Sequence, residues 1–144
     1  MRDEGQDFQF SLHPSSLIPH PFMKRILVVD DSSAARALVA AVLAEAADLQ
    51  VERVSTGLEA IKLLSTTQID LVLTDIHMPE INGLELIRFI KEDQRLRHIP
   101  VVIVSTEGAE QDRLRAISLG ADDYLAKPFT AEQLRRVINK HLLR

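Results

Sequence analysis

The stretch KRILVVDDSS, residues 24–33, contains the feature that decides the fold, a short apolar run that ends in an acidic pair. The run covers residues 26–29 and is too short for a helix but long enough for a buried strand. Two similar runs occupy residues 71–74 and 101–104. Continuous apolar runs of this length are typical of strands that are buried on both faces, as in parallel sheets. The sequence therefore predicts a parallel sheet.

Amphipathic segments alternate with these runs along the chain. Their apolar residues recur three or four positions apart, as Leu38 and Val42 do in the first segment, which is the spacing of one helix face. Leu114 and Ile117 have a similar relation in the fourth segment. The predicted helices cover residues 34–46, 58–64, 84–91, 110–119 and 131–143, and weaker strand candidates cover 50–54 and 124–126. Five βα units with right-handed crossovers predict an α/β fold, a flavodoxin-like, doubly wound, five-stranded parallel sheet in the order 2-1-3-4-5 with helices on both faces.

Polar side chains follow four of the predicted strands at their carboxyl ends. They are Asp30 and Asp31 after strand 1, Asp75 after strand 3, Ser105 and Thr106 after strand 4, and Lys127 after strand 5. In the predicted order these strands are consecutive neighbours, about 4.8 Å apart, so the groups meet at one edge of the sheet. Three crowded carboxylates repel one another and need more positive charge than one lysine supplies. Mg²⁺, which prefers carboxylate, water and phosphoryl oxygens, fits this set best.

A divalent cation beside a carboxylate, a hydroxyl and a lysine is suited to phosphoryl transfer, in which a carboxylate attacks phosphorus in line. Each residue alone has an ordinary explanation. Asp75 could be a loop carboxylate, Ser105 a strand-end cap and Lys127 a solvated charge. Their joint position at successive strand ends favours the functional interpretation.

These residues resemble a known family. The resemblance lies in Asp30-Asp31, in Asp75 followed by Ile76-His77-Met78-Pro79 and Gly83, in Ser105 after an apolar strand, and in Lys127-Pro128-Phe129. Together they resemble the receiver domain of bacterial response regulators, over about residues 24–143. The sequence ends after the fifth predicted helix, which resembles the single-domain, CheY-like chemotaxis type.

The resemblance implies a role for each residue of the site. Asp75 would be the phosphoacceptor, and its phosphodonor would be a sensor histidine kinase or a phosphotransfer protein. Mg²⁺ would be bound by Asp31, Asp75 and the backbone carbonyl of His77, with Asp30 acting through water. Ser105 and Lys127 would contact the phosphoryl group. Such a protein is a signalling phosphoacceptor rather than an enzyme, because it catalyses only its own phosphoryl transfer and dephosphorylation.

The resemblance also implies a switch. Ser105 and the aromatic Tyr124 would respond to phosphorylation and change the face formed by the fourth helix, the fifth strand and the fifth helix, which would regulate a downstream protein target. It further implies a cis peptide bond between Lys127 and Pro128, which X-Pro bonds allow at low cost.

Composition limits the remaining possibilities. The chain has 144 residues, a net charge of −4 and no cysteine, so direct nucleic-acid binding and thiolate chemistry are disfavoured. No apolar run has the length of a membrane span or a signal peptide, and we expect a cytoplasmic protein without membrane insertion. Residues 1–22 hold three prolines and three phenylalanines without a periodic pattern. We interpret residues 1–22 as a flexible leader and residues 23–144 as the receiver domain.

Several alternatives stay open or are disfavoured. A flavin-mononucleotide protein of the same fold would need a phosphate cradle where Asp30-Asp31-Ser32 stands, and a dehalogenase-like phosphatase would need a second aspartate at Ser32. A phosphate-independent interaction module, a phosphorelay intermediate and a phosphate sink remain possible. Two positions depart from the common family pattern: Thr106, which could hinder access, and His77, whose position is thought to tune dephosphorylation. The His77, His98 and His141 side chains lack metal-ligand spacing and are expected to be exposed or incidental.

Overall fold

The computed structural model of the chain describes residues 23–106 and 108–142. The predicted leader, residues 1–22, lies outside the described residues. The five strands are β1 (Lys24–Val29), β2 (Leu49–Val54), β3 (Leu71–Asp75), β4 (Val101–Thr106) and β5 (Asp123–Lys127). The five helices are α1 (Ser33–Leu43), α2 (Gly57–Thr66), α3 (Gly83–Glu92), α4 (Glu110–Ser118) and α5 (Ala131–Leu142). No helix in these described ranges combines the length and the apolar character needed to cross a bilayer.

The strands form one parallel sheet in the order β2-β1-β3-β4-β5, which confirms the predicted fold. The strands extend one or two residues beyond the apolar runs, so Asp75, Ser105 and Lys127 belong to strands rather than to the loops after them. The register places Asp75 beside Val104 and Ser105 beside Ala126. The polar residues therefore lie side by side at the carboxyl edge of the sheet.

Two apolar cores lie on opposite faces of the sheet because strand side chains alternate in direction. In β1, Ile26 and Val28 join the core covered by α1 and α5, whereas Leu27 and Val29 join the core covered by α2, α3 and α4. The strand residues of both cores are essentially inaccessible to solvent. A doubly wound sheet of this kind leaves its carboxyl edge as the open place for a site.

Local capping fixes the helices that border this edge. The Ser32 hydroxyl accepts a hydrogen bond from the Ala35 N–H at 3.2 Å and begins α1. Asn82 and Glu85 form a reciprocal capping box that begins α3. Next to it, a Cβ on Gly83 would lie 2.2 Å from the Asp75 carbonyl oxygen, so only glycine fits this close approach. The start of α3 is therefore packed directly against the end of β3.

Two helix faces differ from the expected ones. The buried residues of α1 are Val39 and Leu43, whereas Leu38 is 54% exposed. In α4, Leu114 and Ile117 are 54% and 44% exposed. Apolar residues spaced i, i+4 can be found on more than one side of the same helix. Spacing alone therefore does not determine which side faces the sheet.

Candidate functional site

Three carboxylates meet at the carboxyl edge of the sheet, and we call Asp30, Asp31 and Asp75 the acidic cluster. One oxygen from each lies within 4.8 Å of the others. Asp30 is buried and Asp31 is exposed, so the cluster runs from the core to the surface. The Asp30 carboxylate accepts a hydrogen bond from the Ser32 N–H at 2.9 Å, which couples its orientation to the start of α1.

Lys127 enters this cluster from β5. Its ammonium nitrogen lies 3.1 Å from Asp30 Oδ2 and 3.7 Å from Asp75 Oδ2. The acidic cluster has three carboxylates and one adjoining lysine, so the group of four carries excess negative charge when all are ionised. The peptide bond between Lys127 and Pro128 is cis, as the family resemblance implied.

The pKa of Asp75 is shifted by its surroundings in the acidic cluster. Burial raises the pKa of Asp75, Lys127 opposes the rise, and the negative charge of Asp30 adds to it. The Ile76 N–H donates to Asp75 Oδ1 at 2.8 Å, so this oxygen already has a backbone partner. Asp75 Oδ2 faces the Lys127 ammonium.

Ser105 presents a buried hydroxyl at the same edge. It is 1% exposed, and its Oγ has no hydrogen-bond partner among the residues the structure describes. A buried polar atom without a partner costs stability and requires an explanation, such as a ligand or ion that completes it. The neighbouring buried hydroxyl, that of Thr74, instead donates to the Asp75 carbonyl oxygen at 2.9 Å.

The donor set fits Mg²⁺. The acidic cluster supplies hard oxygen ligands on one side of the site, and one lysine leaves their charge incompletely balanced. The unpartnered Ser105 hydroxyl adds a group suited to an incoming phosphoryl oxygen. The role of the His77 carbonyl stays a prediction.

The side chains of His77 and Tyr124 connect the site to its surroundings. The His77 ring lies 2.9 Å from the Asp112 carboxylate of α4, although the side chain is 70% exposed. The half-buried Tyr124 donates a hydrogen bond to the Thr106 carbonyl oxygen at 3.4 Å. The two predicted switch residues, Ser105 and Tyr124, lie on the neighbouring strands β4 and β5. The contact between His77 and Asp112, which sequence spacing did not indicate, joins the β3–α3 loop to α4.

A second acid and histidine pair lies at the opposite edge of the sheet. His141 lies 2.8 Å from Asp123 and is mostly buried, so the expectation of an exposed side chain is wrong for this histidine. Burial pushes the pKa of Asp123 up, but hydrogen bonds from His141, the Tyr124 N–H and Lys140 outweigh it and leave this pKa lowered. The partners stand 18 residues apart, which no local motif could reveal.

Comparisons with known proteins show the family of this chain. The family model for the response regulator receiver domain matches residues 26–139. The chemotaxis protein CheY of Pseudomonas aeruginosa is 33% identical over 116 residues, which cover 81% of this chain and 94% of that protein. The signal receiver domain of a Syntrophus aciditrophicus signal transduction histidine kinase has a TM-score of 0.77 and 34% identity, covering 83% of this chain and 90% of that one.

A further solved structure is similar in fold and carries a metal. The receiver domain of a sensor histidine kinase from Pseudomonas aeruginosa has a TM-score of 0.77 and 25% identity, covering 85% of this chain and 99% of that one. That structure has a magnesium ion coordinated in the active site cleft. Receiver domains are signalling proteins rather than classical enzymes. This chain belongs to the response regulator receiver domain family and is a CheY-like receiver of two-component systems.

Proposed function

We propose that this receiver accepts a phosphoryl group on Asp75 from a phosphohistidine of a sensor histidine kinase or a phosphotransfer protein. The observation that carries the proposal is the acidic cluster with Lys127 at the carboxyl edge of the sheet. A structural ion pair needs one carboxylate for one lysine, whereas this arrangement gathers three. The excess negative charge suits a divalent cation, which would in turn attract a phosphoryl group, rather than stability.

Asp75 is the proposed nucleophile because of its surroundings. Asp30 is engaged by the Ser32 N–H and by Lys127, and Asp31 is exposed at the rim. Asp75 Oδ2 would form a bond to phosphorus while the bond from phosphorus to the donor imidazole nitrogen breaks. The nucleophilic oxygen must be ionised, and Lys127 favours that form against the effect of burial.

The remaining groups stabilise the transferred charge. Lys127 would contact one phosphoryl oxygen, and the unpartnered Ser105 hydroxyl would donate a hydrogen bond to another. Asp31, Asp75 and the His77 carbonyl would hold Mg²⁺, with Asp30 acting through water, and the bound ion supplies positive charge to the phosphoryl oxygens.

The proposed output is a change of the face formed by α4, β5 and α5. When Ser105 moves toward the phosphoryl group, Tyr124 can leave its contact with the Thr106 carbonyl and repack on β5. The phosphoryl group shifts this equilibrium only by its different contacts in the two states. The altered face would then regulate a downstream protein target. We place this signalling in the cytoplasm, where the proposed kinase domains act, and assign it to residues 23–144.

Mass spectrometry after incubation with Mg²⁺ and phosphoramidate tests the assignment. The wild type should gain one phosphoryl group on the peptide that contains Asp75, and Asp75→Asn should gain none. Asp93→Asn is the matched control, since the Asp93 carboxylate at the end of α3 accepts a hydrogen bond from the Arg95 N–H that an amide oxygen can also accept.

The outcomes separate the alternatives. Labelling of Asp75→Asn at the wild-type level would refute the phosphoacceptor. Absence of labelling in the wild type and in the Asp93→Asn control would instead favour a phosphate-independent interaction module. Labelling without any change in the α4, β5 and α5 signals by NMR would favour a phosphorelay intermediate or a phosphate sink.

A further inference from the structure

A cavity of about 400 Å³ adjoins the phosphoacceptor, between α1 and the segment that joins β5 to α5. Its walls include the buried Val39 of α1 and the buried Leu73 and Val104 of the sheet, and Leu38 and Phe129 stand at its border with solvent. This volume lies within the roughly 300–1,000 Å³ of small-molecule pockets.

The charges of the cavity are confined to one end. Its charged lining residues are Asp30, Asp75 and Lys127, which all belong to the site already described, and the remaining walls are almost entirely apolar. A ligand that fills the cavity therefore has a polar group at Asp75 and Lys127 and an uncharged, apolar body. Lys127 attracts a phosphoryl anion at that end, and the Mg²⁺ of the proposed function would offset the negative charge of Asp30 and Asp75.

We propose that the cavity binds the acyl group of small acyl phosphates, and that this receiver prefers phosphodonors with an aromatic acyl group over acetyl phosphate. The inference rests on the proposed function, because the phosphoryl group must lie at Asp75. The apolar body of such a donor would pack against Leu38, Val39 and Phe129, where burial of apolar surface favours binding. Acetyl phosphate carries only a methyl group and leaves most of the cavity unfilled.

The proposed reaction balances without any further reactant. Asp75 Oδ2 forms a bond to phosphorus, and the bond between phosphorus and the bridging acyl oxygen breaks. The bonding electron pair stays on that oxygen, so the acyl group leaves as a carboxylate. One carboxylate is consumed and one released, and no proton or redox partner is needed.

Phosphorylation rates with benzoyl phosphate and acetyl phosphate, each with Mg²⁺ in excess, test the preference. The quantity to compare is the second-order rate constant with benzoyl phosphate divided by that with acetyl phosphate. The intrinsic reactivity of each donor is the same for every protein variant, so it cancels when this ratio is compared between variants. Leu38→Gln should lower the ratio about tenfold, which corresponds to about 1.4 kcal/mol. Leu38 is exposed at the cavity border, so this variant should fold.

Leu58→Gln is the matched control. Leu58 is an exposed leucine on α2, 47% accessible compared with 54% for Leu38, and it does not line the cavity. Its ratio should equal that of the wild type. Ala35→Leu, which adds volume inside the cavity from α1, should lower the ratio as Leu38→Gln does.

Binding of unreactive analogues gives a second readout. Phosphonates do not react because Asp75 cannot displace carbon from phosphorus. Phenylphosphonate should shift the NMR signals of Leu38, Val39 and Phe129 and bind more tightly than methylphosphonate, because its ring fills the apolar cavity. If both donors label the protein and the rate ratio is the same in the wild type, Leu38→Gln, Leu58→Gln and Ala35→Leu, the cavity assignment is overturned. The proposed phosphoacceptor would remain intact. Absence of labelling by either donor would overturn the proposed function, and this inference with it.

Discussion

At the amino edge of the sheet, the Asp122 carboxylate accepts hydrogen bonds from the Val101 N–H at 2.8 Å and the Lys91 ammonium at 2.9 Å. At the carboxyl edge, the acidic cluster gathers three carboxylates, of which Asp30 and Asp75 lie 3.1 Å and 3.7 Å from the Lys127 ammonium. Both edges hold acids and a lysine, but Lys91 is paired with one carboxylate, whereas Lys127 is the lysine beside a cluster of three. The difference separates a contact that stabilises the fold from a site that keeps unbalanced charge for a ligand.

Removing the amino-edge carboxylate should have the largest effect on stability. Asp122→Ala breaks two hydrogen bonds and leaves the Val101 N–H without its acceptor, so we expect a loss of about 2–3 kcal/mol in the free energy of unfolding. Urea denaturation measures it. Asp122→Asn keeps an acceptor for Val101 and should lose less. If Asp122→Ala lost less free energy of unfolding than Asp122→Asn, the structural role of this contact would be contradicted.

The corresponding change at the carboxyl edge should have the opposite sign. Asp75→Asn removes one charge from the acidic cluster, and without metal at neutral pH we expect the free energy of unfolding to rise by about 1 kcal/mol. The same urea titration, with a chelator present, measures it. If Asp75→Asn destabilises the protein as Asp122→Asn does, the cluster is not strained by its charge.

Two buried hydroxyls sharpen the comparison on a smaller scale. Thr74 has a hydrogen-bond partner, whereas Ser105 has none among the described residues. Thr74→Val should therefore cost about 1 kcal/mol of unfolding free energy, and Ser105→Ala should be neutral or slightly stabilising. Thermal denaturation of both variants checks this. Equal losses in the two variants would mean that the Ser105 hydroxyl already has a partner in the folded protein.

The pH dependence of stability should differ in direction between the two edges. The pKa of Asp75 is raised from 3.8, so its contribution to stability is fully present below that value and is lost as pH rises through the raised pKa. The pKa of Asp123 is lowered from 3.8, so its contribution is present above that value and is lost as pH falls through the lowered pKa. Unfolding measured against pH for Asp75→Asn and Asp123→Asn should show opposite trends relative to the wild type. Trends of one sign would contradict these assignments.

Much of the fold could be predicted because its signals are local. The apolar runs indicate the strands, the amphipathic segments indicate the helices, and the chirality of βα units limits the sheet order. The polar residues at four strand ends could be brought together by topology alone. Asp30, Asp75 and Lys127 lie at the positions that this reasoning assigned to them.

Other features depend on how the helices dock, which no local pattern contains. The spacing of Leu38 and Leu114 marks a helix but not the side that meets the sheet, and both residues are exposed. The contact between His77 and Asp112 joins residues 35 positions apart. The cavity beside Asp75 likewise arises only from the distance between α1 and the β5–α5 segment.

The most direct test of the central claim is the dependence of the unfolding free energy on Mg²⁺ concentration. If the acidic cluster is a cation site, the wild type should gain about 2.7 kcal/mol when Mg²⁺ reaches a hundredfold excess over its Kd. Asp122→Asn should show the same gain from a lower starting value, and Asp75→Asn should show much less. A wild type that gains nothing, or an Asp75→Asn variant that gains as much as the wild type, would contradict the claim.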